Sequence, residues 1–481
     1  MPQDQGLRER TGAAAIAARR VLGLLDAAGH AASVRYLLRW GVLLTPLAAL
    51  VGSACALFLW ALDEVTAFRW EHEWIIVFLP LAGVAVGGMY RVLGREVEAG
   101  NNLIVDRIHR PGAGVPARMA PLILTGTVMT HLFGGSAGRE GTAVQIGGGI
   151  AGGLNHWLRL SPEELRVFLM AGVAAGFGAV FGTPLAGAIF AMEVIAIGRM
   201  EYGALIPVLF ASLGADFVTA AWGAHHTHYS VATVRGTGGT LPFDAWLMAK
   251  AVAGGVVFGV TAMAFGELTH GLAGLYRRFI SSPLLRPAAG GVLVVGLAWA
   301  IGSTAYLGLG VTNPEGGTSI VSSFEDGGAP AFAWAWKMVF TALTLASGFK
   351  GGEVTPLFFV GASLGNVLAG LLQAPADLFA ALGFVAVFAG AANTPLACTV
   401  MGIELFGAEN GTYMAVACFV SYFVSGHRGI YLSQRVAVPK HRRLENHREA
   451  TLREIRAGDA AEATGGAGAE ERAPGPREAG G

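Results

Sequence analysis

Charge is scarce in this chain. Only 14% of its 481 residues are Asp, Glu, Lys or Arg, against about 25% in a soluble domain, so a water-soluble globule is excluded. Cysteine is scarcer still. Cys55, Cys398 and Cys418 are the only three. All lie in apolar stretches, which excludes a disulfide framework and leaves unpaired core thiols. The formal net charge is zero, so there is no basic footprint for nucleic acid. The first thirty residues lack the apolar run of a signal peptide. They read as an amphipathic surface helix, with Ala and Leu on one side and Arg on the other. No His-Glu-x-x-His occurs. Gly-x-Ser-x-Gly occurs around Ser136 and Ser363, but no strand precedes either serine, and an enzyme is not expected. His225, His226 and His228 have no Cys or carboxylate nearby to complete a metal site and read as a solvated loop. No cofactor is implied.

Apolar residues, by contrast, are abundant: 53% of the chain is hydrophobic and the mean hydropathy is +0.53. Apolar stretches recur at 36–62, 74–92, 167–181, 204–221, 246–265, 287–301 and 379–391. Several approach the ~20 residues a helix needs to cross a bilayer; others are shorter or broken by glycine. Seventy-one glycines are too many for plain spanning helices. They suit close packing and tilted, discontinuous helices. The expected fold is an all-α polytopic membrane protein. Basic residues cluster at both ends, including Arg8, Arg10, Arg19 and Arg20, then Arg435, Lys440, Arg442 and Arg443. Both termini are therefore expected on the cytoplasmic side of the cell membrane. The organisation reads as a cytoplasmic arm (1–33), a first membrane repeat (34–232), a Gly/Thr-rich linker near 235–241, a second repeat (242–436) and a disordered tail (440–481).

The repeat is carried by motifs. Gly138-Arg139-Glu140-Gly141-Thr142 is matched by Gly351-Gly352-Glu353-Val354-Thr355. Thr183-Pro184-Leu185-Ala186 with Glu193 is matched by Thr394-Pro395-Leu396-Ala397 with Glu404. The distance between copies is nearly the same for both pairs, which argues for duplication. An apolar helical pattern starts straight after Glu140. The Gly-rich run therefore places unpaired backbone N–H groups at a helix start inside the membrane, where they attract anions. The Glu140 carboxylate can occupy that start itself, and on protonation it loses its charge and leaves. One residue then serves as gate and proton carrier. Glu353 offers the same geometry from the other repeat, with Lys350 upstream of it as Arg139 is of Glu140. Glu193 and Glu404 lie deeper in their helices and read as structural, bonding polar groups between helices or at a subunit contact.

Gly-Arg-Glu-Gly before an apolar helix, then Thr-Pro-Leu-Ala-Gly-Ala-Ile-Phe-Ala-Met-Glu, resembles the CLC family of anion channels and proton-coupled antiporters. The resemblance covers about 36–436. It implies an inverted repeat, a homodimer with one pore per subunit, and Glu140 as the external gating glutamate. The details are similar to the fluoride-exporting CLC-F branch. Thr142 stands where chloride types have Pro, and Gly352-Glu353-Val354-Thr355-Pro356 replaces their Gly-x-Phe-x-Pro. Asn101 takes the place of the central serine, and Tyr431 matches the pore tyrosine. Val194 stands where chloride antiporters carry an inner proton-transfer glutamate. Gly112-Ala113-Gly114-Val115-Pro116 looks more like the chloride-type serine segment, but between it and Glu140 there is room for only one spanning helix at ~1.5 Å per residue. From Gly100 there is room for both the short helix and the spanning helix that the family pattern places before the gating glutamate.

The implied function is export of fluoride in exchange for protons, the alternative being a chloride channel or chloride/proton antiporter of the same fold. Fluoride is small and strongly hydrated, so its path needs close, well-aimed donors. The expected anion-binding set is Asn101, Gly138, Arg139, Gly141, Thr142, Gly352, Val354, Thr355 and Tyr431. Glu140 is the expected gate and Glu353 a relay for proton or fluoride.

Overall fold

The computed structural model describes residues 27–112, 114–227, 229–232 and 244–465. Residues 1–26, most of the expected arm, lie outside the described residues, as do the 235–241 linker and the end of the tail. The chain divides into two units, 1–46 and 47–481. The described part of the first is the start of a long helix, α1 (Ala27–Glu71), with Pro46 inside it. The expected break at 33 is therefore not a helix end.

The architecture is almost entirely α-helical among the described residues and falls into two apolar repeats. The first continues with α2 (Leu79–Leu93), α3 (Asn101–His109), α4 (Met119–Leu132), α5 (Glu140–Leu158), α6 (Pro162–Phe181), α7 (Pro184–Glu193) and α8 (Leu205–Ala221). The second comprises α9 (Ala245–Phe279), α10 (Leu285–Ile301), α11 (Ala333–Ser347), α12 (Val354–Leu372), α13 (Ala376–Ala392), α14 (Pro395–Phe406) and α15 (Gly411–Val424). Among the described residues, six helical stretches are long and apolar enough to cross a membrane. Others, such as α7 and α14, are too short for that. Helices α3 and α4 fill the stretch between Gly100 and Glu140. Phe217, Trp246, Val292 and Trp299 expose large apolar surfaces, which lipid solvates and water would not.

Local sequence sets the helix limits, and it does so alike in both repeats. Thr183 and Thr394 precede Pro184 and Pro395, which open α7 and α14 at the position where a missing N–H does no harm. The carbon ends of α5 and α12 close on Arg159 and Gln373, both left-handed. Those of α6 and α13 close on Gly182 and Asn393, also left-handed. Ser161 caps α6 in a capping box with Glu164.

Glycine then decides how closely the helices pack. A Cβ at Gly147 of α5 would stand 1.9 Å from the carbonyl oxygen of Gly172 in α6. The second repeat has the same arrangement, where a Cβ at Gly361 of α12 would stand 2.0 Å from the carbonyl oxygen of Gly383 in α13. The backbones touch directly, as small-residue interfaces allow in lipid.

The tail differs from expectation. Residues 442–447 form a 3₁₀ turn and Leu452–Gly465 form a further helix, α16. Two short parallel strands, β1 (Ala196–Ile197) and β2 (Arg435–Val436), pair beneath them. Ile197, Val436, Leu452 and Ile455 make a small buried cluster. The charged residues that suggested disorder are in use. Lys440 Nζ donates to Asn393 Oδ1 at 2.7 Å and to Ser425 Oγ at 3.2 Å, and its backbone N–H donates to His427 Nε2 at 3.1 Å. Composition alone does not reveal that three or four apolar side chains in this stretch have a surface to cover.

Two predictions follow from this packing. Gly361→Ala should lower stability by about 1–3 kcal/mol, because the backbones must part to admit the methyl group; thermal unfolding of the detergent-solubilised protein measures it. Burial, with Lys440, His447 and His441 nearby, holds the His427 pKa down at about 4 from 6.5. The folded state therefore favours neutral His427. Its contribution is full above pH 6.5 and is lost as pH falls towards 4. Hydrogen-exchange protection over 440–459, corrected for the fall of the intrinsic base-catalysed rate, should drop as pH falls across that window; protection factors unchanged from pH 7 to 4 would contradict the assignment.

Candidate functional site

The two copies of the Gly-x-Glu-x-Thr motif meet. Gly138 N–H donates to the Gly352 carbonyl at 2.6 Å, and Gly352 N–H returns to the Gly138 carbonyl at 2.7 Å. This isolated antiparallel bridge joins the segments that lead into α5 and α12. No side chain fits there: a Cβ at Gly138 would stand 2.9 Å from Thr355 N, and one at Gly352 would stand 2.7 Å from Gly141 N. Two helix starts, with their unpaired N–H groups, are thus held together inside the protein.

Glu140 is 1% exposed and is the first residue of α5. Its carboxylate does not cap α5, as the sequence suggested. It crosses to the other repeat, where Oε2 accepts from Thr355 N at 2.9 Å and from Thr355 Oγ1 at 2.5 Å. Arg139 N–H lies 3.2 Å from the same oxygen, and Arg139 Nε lies 3.5 Å from Oε1. Thr355 Oγ1 also accepts from Arg139 N–H at 3.3 Å. The carboxylate therefore rests on the amino end of α12, beside a guanidinium. Beside it lies a narrow cleft lined by Arg139, Glu140, Phe181, Tyr229, Phe358 and Phe384, among others.

Glu353 stands one step earlier in its helix, as the N-cap of α12. Its Oε2 is buried without a hydrogen-bond partner. Asn101, the first residue of α3, likewise buries an unpartnered Oδ1. Both groups converge on Gly141: a Cβ built there would stand 3.0 Å from Asn101 Nδ2, 3.0 Å from Gly352 Cα and 3.6 Å from Glu353 Oε2. Glycine at 141 thus keeps open the space that Asn101 and Glu353 face. The Tyr431 side chain is buried, within electrostatic reach of Glu353 and Glu140. Its ring meets Phe190 edge-on at 6.4 Å.

Of the expected set, the structure brings together Gly138, Arg139, Glu140, Gly141, Gly352, Glu353, Thr355 and Asn101. Val354 starts α12 beside them. Thr142 turns elsewhere, its hydroxyl 2.7 Å from that of Thr127 on α4.

Several features were missed in the sequence. Phe358 stacks on Phe384 at 3.9 Å, Phe388 meets Phe358 at 5.5 Å, Phe190 lies 5.9 Å from Phe388, and Phe190 reaches Tyr431. This aromatic file joins the cleft beside Glu140 to Tyr431, and its members are scattered over α7, α12 and α13. Lys337 is fully buried and donates to the carbonyls of Tyr306 and Gly308 at 3.1 and 2.7 Å; a lysine inside an apolar helix was the available signal. Glu193 and Glu404, by contrast, act as the sequence led us to expect, bonding polar groups between helices: each caps the other's helix. Glu193 accepts from Leu396 and Ala397 N–H at 3.1 and 2.8 Å, and Glu404 from Leu185 and Ala186 N–H at 2.9 and 2.8 Å.

Residues 82–426 match the family described as voltage gated chloride channel. A "Chloride/fluoride channel protein" of Pseudomonas syringae pv. tomato is 53% identical over 408 residues, spanning 85% of this chain and 89% of that protein. The crystal structure of a CLC-type fluoride/proton antiporter superposes with a TM-score of 0.78 at 34% identity, over 83% of this chain and 98% of that one. A slow cyanobacterial Cl⁻/H⁺ antiporter shares the fold, with a TM-score of 0.60 at 18% identity, over 80% of this chain and 94% of that one. This chain is a multi-pass membrane protein that belongs to the voltage gated chloride channel family, the CLC family.

Proposed function

We propose that this protein exports fluoride across the cytoplasmic membrane in exchange for protons, with Glu140 as gate and proton carrier. The observation that carries the reading is the seat of the Glu140 carboxylate on the Thr355 amide and hydroxyl. An anion of one charge and similar hydrogen-bonding habit can take that seat only when the carboxylate leaves it. Protonation removes the charge that the helix end and Arg139 hold, so proton binding and anion entry use one place in turn.

Fluoride is favoured over chloride by three features. Glu353, with its free buried oxygen, and Asn101 face the same small space at Gly141. A small anion reaches both the Asn101 amide N–H groups and a protonated Glu353 there; a larger one is kept from the shortest contacts. The 34% identical structure is that of a fluoride/proton antiporter, which points the same way, while the 53% identical relative is named for both chloride and fluoride. The chloride reading stays attached to the family's other members, whose fold this chain shares. By resemblance the working unit is a homodimer with one pore per subunit, both termini facing the cytoplasm.

Parallel fluoride and chloride efflux from proteoliposomes, with a pH readout, tests this reading. Fluoride should move and carry protons the other way, while chloride moves at least tenfold more slowly; equal fluxes overturn the fluoride assignment. Glu140→Gln should abolish proton movement driven by a fluoride gradient. Unchanged proton pumping in that variant removes Glu140 from the mechanism. Thr355→Val deletes one donor to the seated carboxylate, worth about 1–3 kcal/mol for a bond to a charged group. Uncoupled fluoride leakage at alkaline pH should rise accordingly.

A further inference from the structure

We infer that Asn102, Ser433 and Arg453 form a clamp through which the folded tail fixes the separation of Asn101 and Tyr431, and thereby the selectivity of the inner end of the path. The inference rests on the fluoride reading above. Its basis is a chain of hydrogen bonds between segments remote in sequence. Asn101 opens α3; the next residue, Asn102, accepts at Oδ1 from Ser433 N–H at 2.9 Å. Ser433 is two residues beyond Tyr431, so one bond ties the segments that carry both pore side chains.

The tail holds the other side of Ser433. Arg453 Nη2 donates to Ser433 Oγ at 3.2 Å. Arg453 N–H donates to the Leu432 carbonyl at 2.9 Å, and Leu452 N–H to the Gln434 carbonyl at 3.0 Å. The first turn of α16 therefore grips the carbonyls on both flanks of Ser433. Those N–H groups belong to a helix start that would otherwise lack partners. Gln434 secures the far side, with its amide donating to the carbonyls of Val194 and Ala392 at 2.9 and 3.0 Å.

Charge then holds α16 against the inner part of α9. Arg456 Nη1 lies 2.7 Å from Glu267, Arg428 lies 3.6 Å from the same carboxylate, and Arg428 reaches Asp459 at 4.0 Å. Arg428 is three residues before Tyr431, so the network ends on both sides of the tyrosine. Leu452 and Ile455, buried in the cluster with Ile197 and Val436, supply the apolar part of the docking.

Separation matters because fluoride is the smaller halide. Donors held close favour it, and donors that can part admit chloride. A fold that merely needed to end after Tyr431 would not require a return through Ser433 to the residue beside Asn101.

The test compares fluoride and chloride efflux, in the same vesicles, for the full-length parent, Asn102→Leu, Asn102→Asp and Arg453→Met. Asn102→Leu removes the acceptor; Asn102→Asp keeps an Oδ1 for the Ser433 N–H. The fluoride-to-chloride flux ratio should fall about three- to tenfold in Asn102→Leu and Arg453→Met, the scale of one lost hydrogen bond, and return towards the parent value in Asn102→Asp. Gel-filtration profile and unfolding temperature, measured for each, show that the variants are folded. Arg456→Met serves as a second route: it removes one anchor of α16 on Glu267 and should lower the ratio in the folded variant. A parent that does not discriminate sinks the fluoride reading itself. A discriminating parent whose folded Asn102→Leu and Arg453→Met variants keep its ratio overturns the clamp alone.

Discussion

Two short hydrogen bonds between Gly138 and Gly352 bring the two halves of the molecule into contact at their most polar point. Each bond lies between segments that lead into a helix, so the bridge sets two amino ends side by side within an apolar interior. That is an unfavourable place for unpaired N–H groups unless a negative charge covers them. The Glu140 carboxylate provides the cover, and the bridge directs it to the helix of the opposite repeat. The proposed gate, the proposed anion seat and the repeat interface are consequently one structure. A substitution that separates the glycines would disturb all three.

Elsewhere in the chain the duplication serves stability. Glu193 and Glu404 are also carboxylates at helix starts, and they also cross between repeats. The difference lies in company. Each of these two takes a pair of backbone amides and no neighbouring base, which makes a fixed cap. Glu140 has one backbone amide of α12, a hydroxyl and Arg139 beside a cleft, so it has both a reason to stay and a way out. Glu353 differs again, because one of its oxygens is buried with no partner. Four glutamates thus divide into two caps, one carboxylate seated on the opposite repeat, which is the proposed gate, and one with an open acceptor oxygen.

The fold was legible because its signals are local. Thr-Pro pairs, glycine-rich breaks and apolar runs of helical length are each read within a dozen residues, and their recurrence exposes the repeat. The tail was misread for the complementary reason. Leu452–Gly465 is polar and Ala-rich, and only the presence of Ile197, Val436 and Glu267 across the gap makes its few apolar and charged side chains useful. Thr142 was placed with the anion ligands by position, but its hydroxyl pairs with Thr127, which no spacing rule connects to it.

The sequence by itself determined that the chain lives in lipid, that it is doubled, and that Glu140 and Glu353 are its exceptional carboxylates. These follow from composition and from motifs whose residues are neighbours along the chain. Tertiary structure decided which helix end Glu140 covers, that Asn101 and Glu353 face one space across Gly141, and that scattered phenylalanines form one file down to Tyr431. Those are relations between residues up to hundreds of positions apart. They depend on how closely backbones approach, which the bridging glycines permit and the rest of the packing fixes.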